Sequence, residues 1–141
     1  MRHVWILVFA SAALFVPARA AMTEAQMRGA MKQVRKMCLP KSGASKEALA
    51  KMNDGDFDDD DRKLKCYLGC VMGMMQAVKG NKINLQMVRS QITKMLQPDF
   101  GQKILTTFEA CQDVEGADSC EVAYQFAKCI YMKDKDAFIV P

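Results

Sequence analysis

The protein has 141 residues, 50% of them hydrophobic, with 20 Lys and Arg against 16 Asp and Glu and a formal charge of +4. That length suits a single domain. No cluster of Lys and Arg interleaved with aromatics is present, which sets nucleic-acid binding aside.

The chain opens MRHVWILVFASAALFVPARA. Arg2 and His3 form a short basic start, Val4 to Val16 is a nearly unbroken apolar run, and Ala18-Arg19-Ala20 supplies a small-residue cleavage site after Pro17. This is the layout of a secretory signal peptide over residues 1–20. Its 13 apolar residues are too few to cross a ~30 Å hydrocarbon layer as a helix. No later stretch is apolar enough to span, so the expectation is a secreted, extracellular domain over residues 21–141 that is not membrane-spanning. Cleavage lowers the charge to +2, because Arg2 and Arg19 depart. It also removes His3, the one histidine. The remainder has no Ser–His or Cys–His pair, no imidazole metal ligand and no side chain that usually senses pH between about 5 and 8.

Many Met, Leu, Ala, Lys and Gln and few β-branched runs favour helix throughout. Thr23 followed three residues on by Gln26 predicts a capping box. Met27, Met31, Val34 and Cys38 then recur at helical spacing until Pro40 stops the helix. Ser45 opens a short second helix ending near Asn53-Asp54-Gly55. The third runs from about Asp60 to Val78, with a stripe of Leu64, Leu68, Val71, Met75 and Val78, stopped by Gly80-Asn81. Leu85, Val88, Ile92 and Met95 mark a fourth closed by Pro98, and Phe100, Ile104, Phe108 and Cys111 a fifth closed by Gly116. A sixth carries Val122, Phe126, Cys129 and Ile130, and Ala137 to Pro141 shows no helical signal.

Six cysteines remain after residue 20: Cys38, Cys66, Cys70, Cys111, Cys120 and Cys129. An even number in a short exported chain reads as three disulfides, with 15 connectivities open. A cysteine-only zinc site is the rival, and the oxidising route and lack of CxxC pairs count against it. Cys66 and Cys70 share a helix face with Cβ atoms ~5–6 Å apart, too far for the ~3.5–4.5 Å of a disulfide. Each must tie the third helix to a different segment.

The pattern C-x27-C-x3-C-x40-C-x8-C-x8-C, with KCY before the x3 gap and a short apolar carboxyl terminus, resembles the six-cysteine insect odorant-binding proteins of the general and pheromone-binding branch. The resemblance covers the whole chain after the signal peptide. It implies pairing of first to third, second to fifth and fourth to sixth: Cys38–Cys70, Cys66–Cys120 and Cys111–Cys129. It also implies a fold class, an all-α, six-helix, disulfide-stapled bundle around an internal apolar cavity.

Three further features admit two readings each. The acidic run DGDFDDDD, Asp54 to Asp61, lacks the glycine and glutamate positions of an EF-hand loop. It reads as a solvated loop whose aspartates favour the amino end of the third helix. Met72, Met74 and Met75 are either core filler or polarizable lining for a cavity that accepts varied apolar ligands. Phe138, Ile139 and Val140 would be a wasteful exposure at a terminus. In the resembled family this segment folds back as pocket wall or lid, and the closing proline favours a lid strand over a seventh helix.

The expected function is a secreted carrier of small hydrophobic volatile molecules, working through aqueous lymph, with no catalytic residues, metal or cofactor. Its pocket is expected to be lined by Met72 and Met75, by Leu85, Val88 and Ile92, by Phe100, Ile104 and Phe108, by Phe126 and Ile130, and by Phe138, Ile139 and Val140. These come from helical phase combined with positions that members of the resembled family commonly use. The partners are a small hydrophobic ligand and, by the resemblance, an olfactory receptor, with homodimerisation left open. A non-olfactory carrier of the same family, a secreted helical signalling protein and a saposin-like lipid module are the alternatives. The last needs closely paired cysteines near both ends, which this chain lacks.

Overall fold

Thr23 accepts a hydrogen bond from the backbone N–H of Gln26 while the Gln26 side chain accepts one from the backbone N–H of Thr23, and this box starts helix α1, Glu24–Ser42. The computed structural model describes residues 20–141, so the signal-peptide expectation over residues 1–20 lies almost wholly outside the described residues. Helix α1 outlasts Pro40 by two residues and ends where Gly43 takes the left-handed conformation (φ 68°) and donates its N–H to the Leu39 carbonyl. Ser45 caps α2, Lys46–Asn53, and Asp61 caps α3, Arg62–Met74. The run Asp54 to Asp61 therefore feeds an N-cap, as expected from its sequence.

Helix α3 stops four residues earlier than its apolar stripe predicts. Gln76 adopts a positive φ of 52°, its N–H bonds the Gly73 carbonyl, and the Ala77 N–H bonds the Met72 carbonyl. This is a Schellman closure with Gln at the position that glycine usually fills. Val78 consequently belongs to a two-stranded hairpin, β1 Val78–Lys79 and β2 Lys82–Ile83, in antiparallel register Val78 to Ile83. Asn84 caps α4, Leu85–Met95. Pro98 opens α5, Pro98–Glu109, at a position where its missing N–H costs nothing. Asp118 caps α6, Ser119–Lys133, and a 3-10 turn, Lys135–Ala137, leads into the tail. The architecture is all-α with six helices, and none of the described helices is long and apolar enough to cross a membrane.

The centre is the α3–α6 pair. Tyr67, Leu68 and Val71 of α3 and Val122, Ala123, Phe126 and Ala127 of α6 are completely buried. The helices meet where Gly69 faces Cys120: a Cβ on Gly69 would lie 3.2 Å from the Cys120 Cα. Three disulfides radiate from this pair: Cys38–Cys70 to α1, Cys66–Cys120 between α3 and α6, and Cys111–Cys129 to the end of α5, with Cα separations of 5.6, 4.4 and 5.8 Å. Closing loops of these lengths stabilises a fold by roughly 3–4 kcal/mol each in the chain-entropy model.

Candidate ligand-binding cavity

Helix α1 contributes its stripe of Met27, Met31 and Val34 to one wall of an apolar cavity of about 200 Å³. Met72, Met75 and Ala77 come from the end of α3 and the turn after it, Val88, Gln91, Ile92 and Met95 from α4, and Ile104 and Phe108 from α5. Ile130 of α6 and the tail residues Ala137 to Val140 complete the lining. Gln91 is the one polar side chain among these lining residues, and six of them are methionine. Such a surface offers dispersion contacts and adaptable shape but almost no fixed hydrogen bond.

Of the residues expected from the sequence, Met72, Met75, Val88, Ile92, Ile104, Phe108, Ile130, Phe138, Ile139 and Val140 lie together on this cavity. Three do not. Phe126 is fully buried in the filled core, edge-on to Phe108 with ring centroids 5.1 Å apart. Phe100 lines a separate surface depression with Thr23 and Gln97. Leu85 is half-buried at the first turn of α4, away from the cavity. Met22, Met27, Ala30, Met31 and Val34 were not expected there, although the stripe of α1 is the signal that locates three of them. Met74, adjacent to two lining methionines, points outward and is exposed.

The tail is an extended strap, not a strand: residues 138–141 have no ladder partner among the described residues. Its Phe138 and Ile139 side chains are buried, and the Tyr67 hydroxyl donates to the Pro141 carbonyl. Burial pushes the Tyr67 phenol up to about 12, so it stays protonated as a donor. Phe138 packs edge-on against Tyr131 (5.3 Å) and Phe57 (6.1 Å), which ties the strap to α6 and to the acidic loop. Lys103 of α5 holds the turn before the strap through Asp136, at 3.0 Å.

The acidic run is engaged elsewhere. Asp59 accepts from the Tyr124 hydroxyl and from Lys128, and the Lys128 ammonium holds its carboxyl below the usual range. No three His, Cys, Asp or Glu side chains among the described residues are placed to hold a metal ion.

Comparison with known proteins agrees with this geometry. The chain matches the PBP/GOBP family over residues 20–133. It is 30% identical over 123 residues to general odorant-binding protein 72 of Anopheles gambiae, covering 86% of this chain and 100% of that one. Among solved structures, odorant-binding protein 4 of the predator Chrysopa pallens superposes with a TM-score of 0.77 at 33% identity, covering 85% of this chain and 99% of that one. Odorant-binding protein 5 of Apis mellifera gives 0.71 at 28% identity, with 86% and 99% covered. With its six helices, three disulfides and apolar cavity, the chain belongs to the PBP/GOBP family of odorant-binding proteins, whose fold is that of hydrophobic-ligand carriers.

Proposed function

We propose that the protein is a secreted carrier that takes small, hydrophobic, volatile molecules into the cavity and moves them through extracellular lymph to olfactory receptors. The observation that carries this reading is the cavity itself, about 200 Å³ lined by apolar side chains with Gln91 alone to hydrogen-bond. Empty apolar volume destabilises a fold by about 24 cal/mol per Å³. A chain that keeps such a volume at its centre gives up stability that a filled core would supply, and the three disulfides offset the loss. The ligand recovers it. About 300 Å² of apolar ligand surface, at ~25 cal/mol/Å², gains several kcal/mol, which after association costs corresponds to roughly micromolar affinity.

The lining residues contact the ligand by dispersion, and the six cavity methionines accommodate differing shapes. The test is displacement of a fluorescent naphthylamine probe by uncharged alcohols, esters and aromatics. The carrier reading expects saturable, single-site displacement in the micromolar range. A secreted signalling protein, acting through a surface patch, would show no saturable binding of any of them.

A further inference from the structure

The six methionines that line the cavity differ sharply in their access to solvent. Met31 and Met72 are 3% and 2% exposed, Met22, Met27 and Met75 are half-buried, and Met95 is 46% exposed. Met95 is therefore the lining methionine that stands at the edge of the cavity, shared between its wall and water. Met37, Met74 and Met132 are exposed to a similar or greater degree, but none of them lines the cavity.

Met95 occupies the last turn of α4, and its carbonyl accepts from the Met22 N–H at 2.7 Å. Four residues earlier on the same helix stands Gln91, the polar side chain of the lining, and positions four apart share a helix face. Among the described residues the side-chain hydrogen bonds of α4 are made by Asn84 and Thr93, and Arg89 pairs with Glu109, which leaves the Gln91 amide free.

An exposed thioether is oxidised by hydroperoxides to the sulfoxide, a polar group that methionine sulfoxide reductases convert back. The sulfur lone pair attacks the outer peroxide oxygen, and the S–O bond forms as the O–O bond breaks. The hydroperoxide proton passes to the departing oxygen, which leaves as an alcohol. Sulfur loses two electrons and the peroxide gains them. At Met37, Met74 or Met132 the new dipole enters a surface already in water. At Met95 it enters the edge of an apolar wall, one helical turn from an unpartnered amide donor.

We propose that Met95 is a reversible oxidation site that sets the affinity of the cavity, its sulfoxide oxygen accepting from the Gln91 amide N–H. Oxidation makes that part of the wall polar and takes the Gln91 amide away from the ligand. An apolar ligand packed against a desolvated S=O group should bind about tenfold more weakly. This assignment rests on the carrier reading.

The test treats the protein with tert-butyl hydroperoxide, whose bulk keeps it from buried sulfur, and follows each methionine by peptide mass spectrometry. Affinity for the naphthylamine probe is measured before treatment, after it, and after reduction by methionine sulfoxide reductases of both stereospecificities. Met95 should gain oxygen together with the other exposed methionines and well before Met31 and Met72. Probe affinity should fall about tenfold as Met95 is converted, and return on reduction. The same treatment is given to Met95→Leu and to Met37→Leu/Met74→Leu/Met132→Leu. The readout is the ratio of affinities before and after treatment within each protein, so that a change in starting affinity cancels. That ratio should stay near unity in Met95→Leu and remain about ten in the triple variant. An unoxidised Met95, undiminished affinity once it is converted, a loss that persists in Met95→Leu, or a loss that vanishes in the triple variant would each overturn the assignment and leave the carrier reading standing. Absence of probe binding before treatment would remove the carrier reading and the assignment with it.

Discussion

Helices α4 and α6 both contribute side chains to the cavity, yet they are held in opposite ways. Helix α6 buries seven side chains and carries Cys120 and Cys129, each in a disulfide. Helix α4 buries Val88 alone and carries no cysteine. Its remaining attachments are an ion pair from Arg89 to Glu109 of α5, close packing of Ile92 against Gly101, and the amino-terminal segment, where the Met22 N–H bonds the Met95 carbonyl at 2.7 Å. One helix stands in a filled core, the other beside empty volume. Under the proposed carrier function, the difference separates scaffold from binding wall: stability is concentrated in α3 and α6, and the freedom to admit a ligand in α4 and the strap.

Truncation should break the symmetry most visibly. Phe126→Ala removes a fully buried ring from the filled side and should cost about 3–5 kcal/mol in denaturant unfolding. Val88→Ala borders volume that is already empty and should cost less than about 1.5 kcal/mol. Equal costs would mean that the two sides are packed alike.

Enlargement should give effects of opposite sign. Val122→Phe in the filled core should destabilise by about 1–3 kcal/mol through overpacking. Val88→Phe has space to enter, so its stability should be unchanged or raised by up to about 2 kcal/mol while probe affinity falls at least tenfold. A Val88→Phe protein that binds normally would show that the ligand lies elsewhere.

The smallest effect is expected from pH. Arg62 and the Glu121 backbone N–H hold the Asp118 carboxyl down to about 2, and Lys103 lowers that of Asp136. A carboxyl whose folded pKa lies below its unfolded value of about 4 stabilises the fold above that value, and the contribution is lost as pH falls through the folded pKa. These pairs are exposed, so the loss should be shallow and confined to about pH 4 and below. With no histidine after residue 20, probe affinity should be flat between about pH 8 and 6. A steep loss inside that window would require a titrating group outside this set.

The helices were legible because their starts are written in local chemistry: Thr23 with Gln26, Ser45 and Asp61 all act where the sequence puts them, whereas Pro98, read as closing the fourth helix, stands in the first turn of α5. The end of α3 was not, because its left-handed residue is Gln76 where a reader looks for glycine, and Val78 continues the helical phase by coincidence. The disulfide pairs came from the resemblance, since spacing only barred Cys66 from Cys70. Ten cavity residues were readable from phase together with family positions, but phase cannot tell an inward side chain in a filled core from one beside empty space. Phe126 and Phe108 look alike in sequence, and only the tertiary fold puts the first in the core and the second on the cavity.

Hydrogen–deuterium exchange with and without a saturating apolar ligand tests the division between scaffold and binding wall most directly. Amides of α4 and of the strap should exchange fastest among the helices and tail without ligand and gain most protection with it, while α3 and α6 stay slow in both states. Protection gained uniformly, or on α3 and α6 with α4 unchanged, would contradict the account.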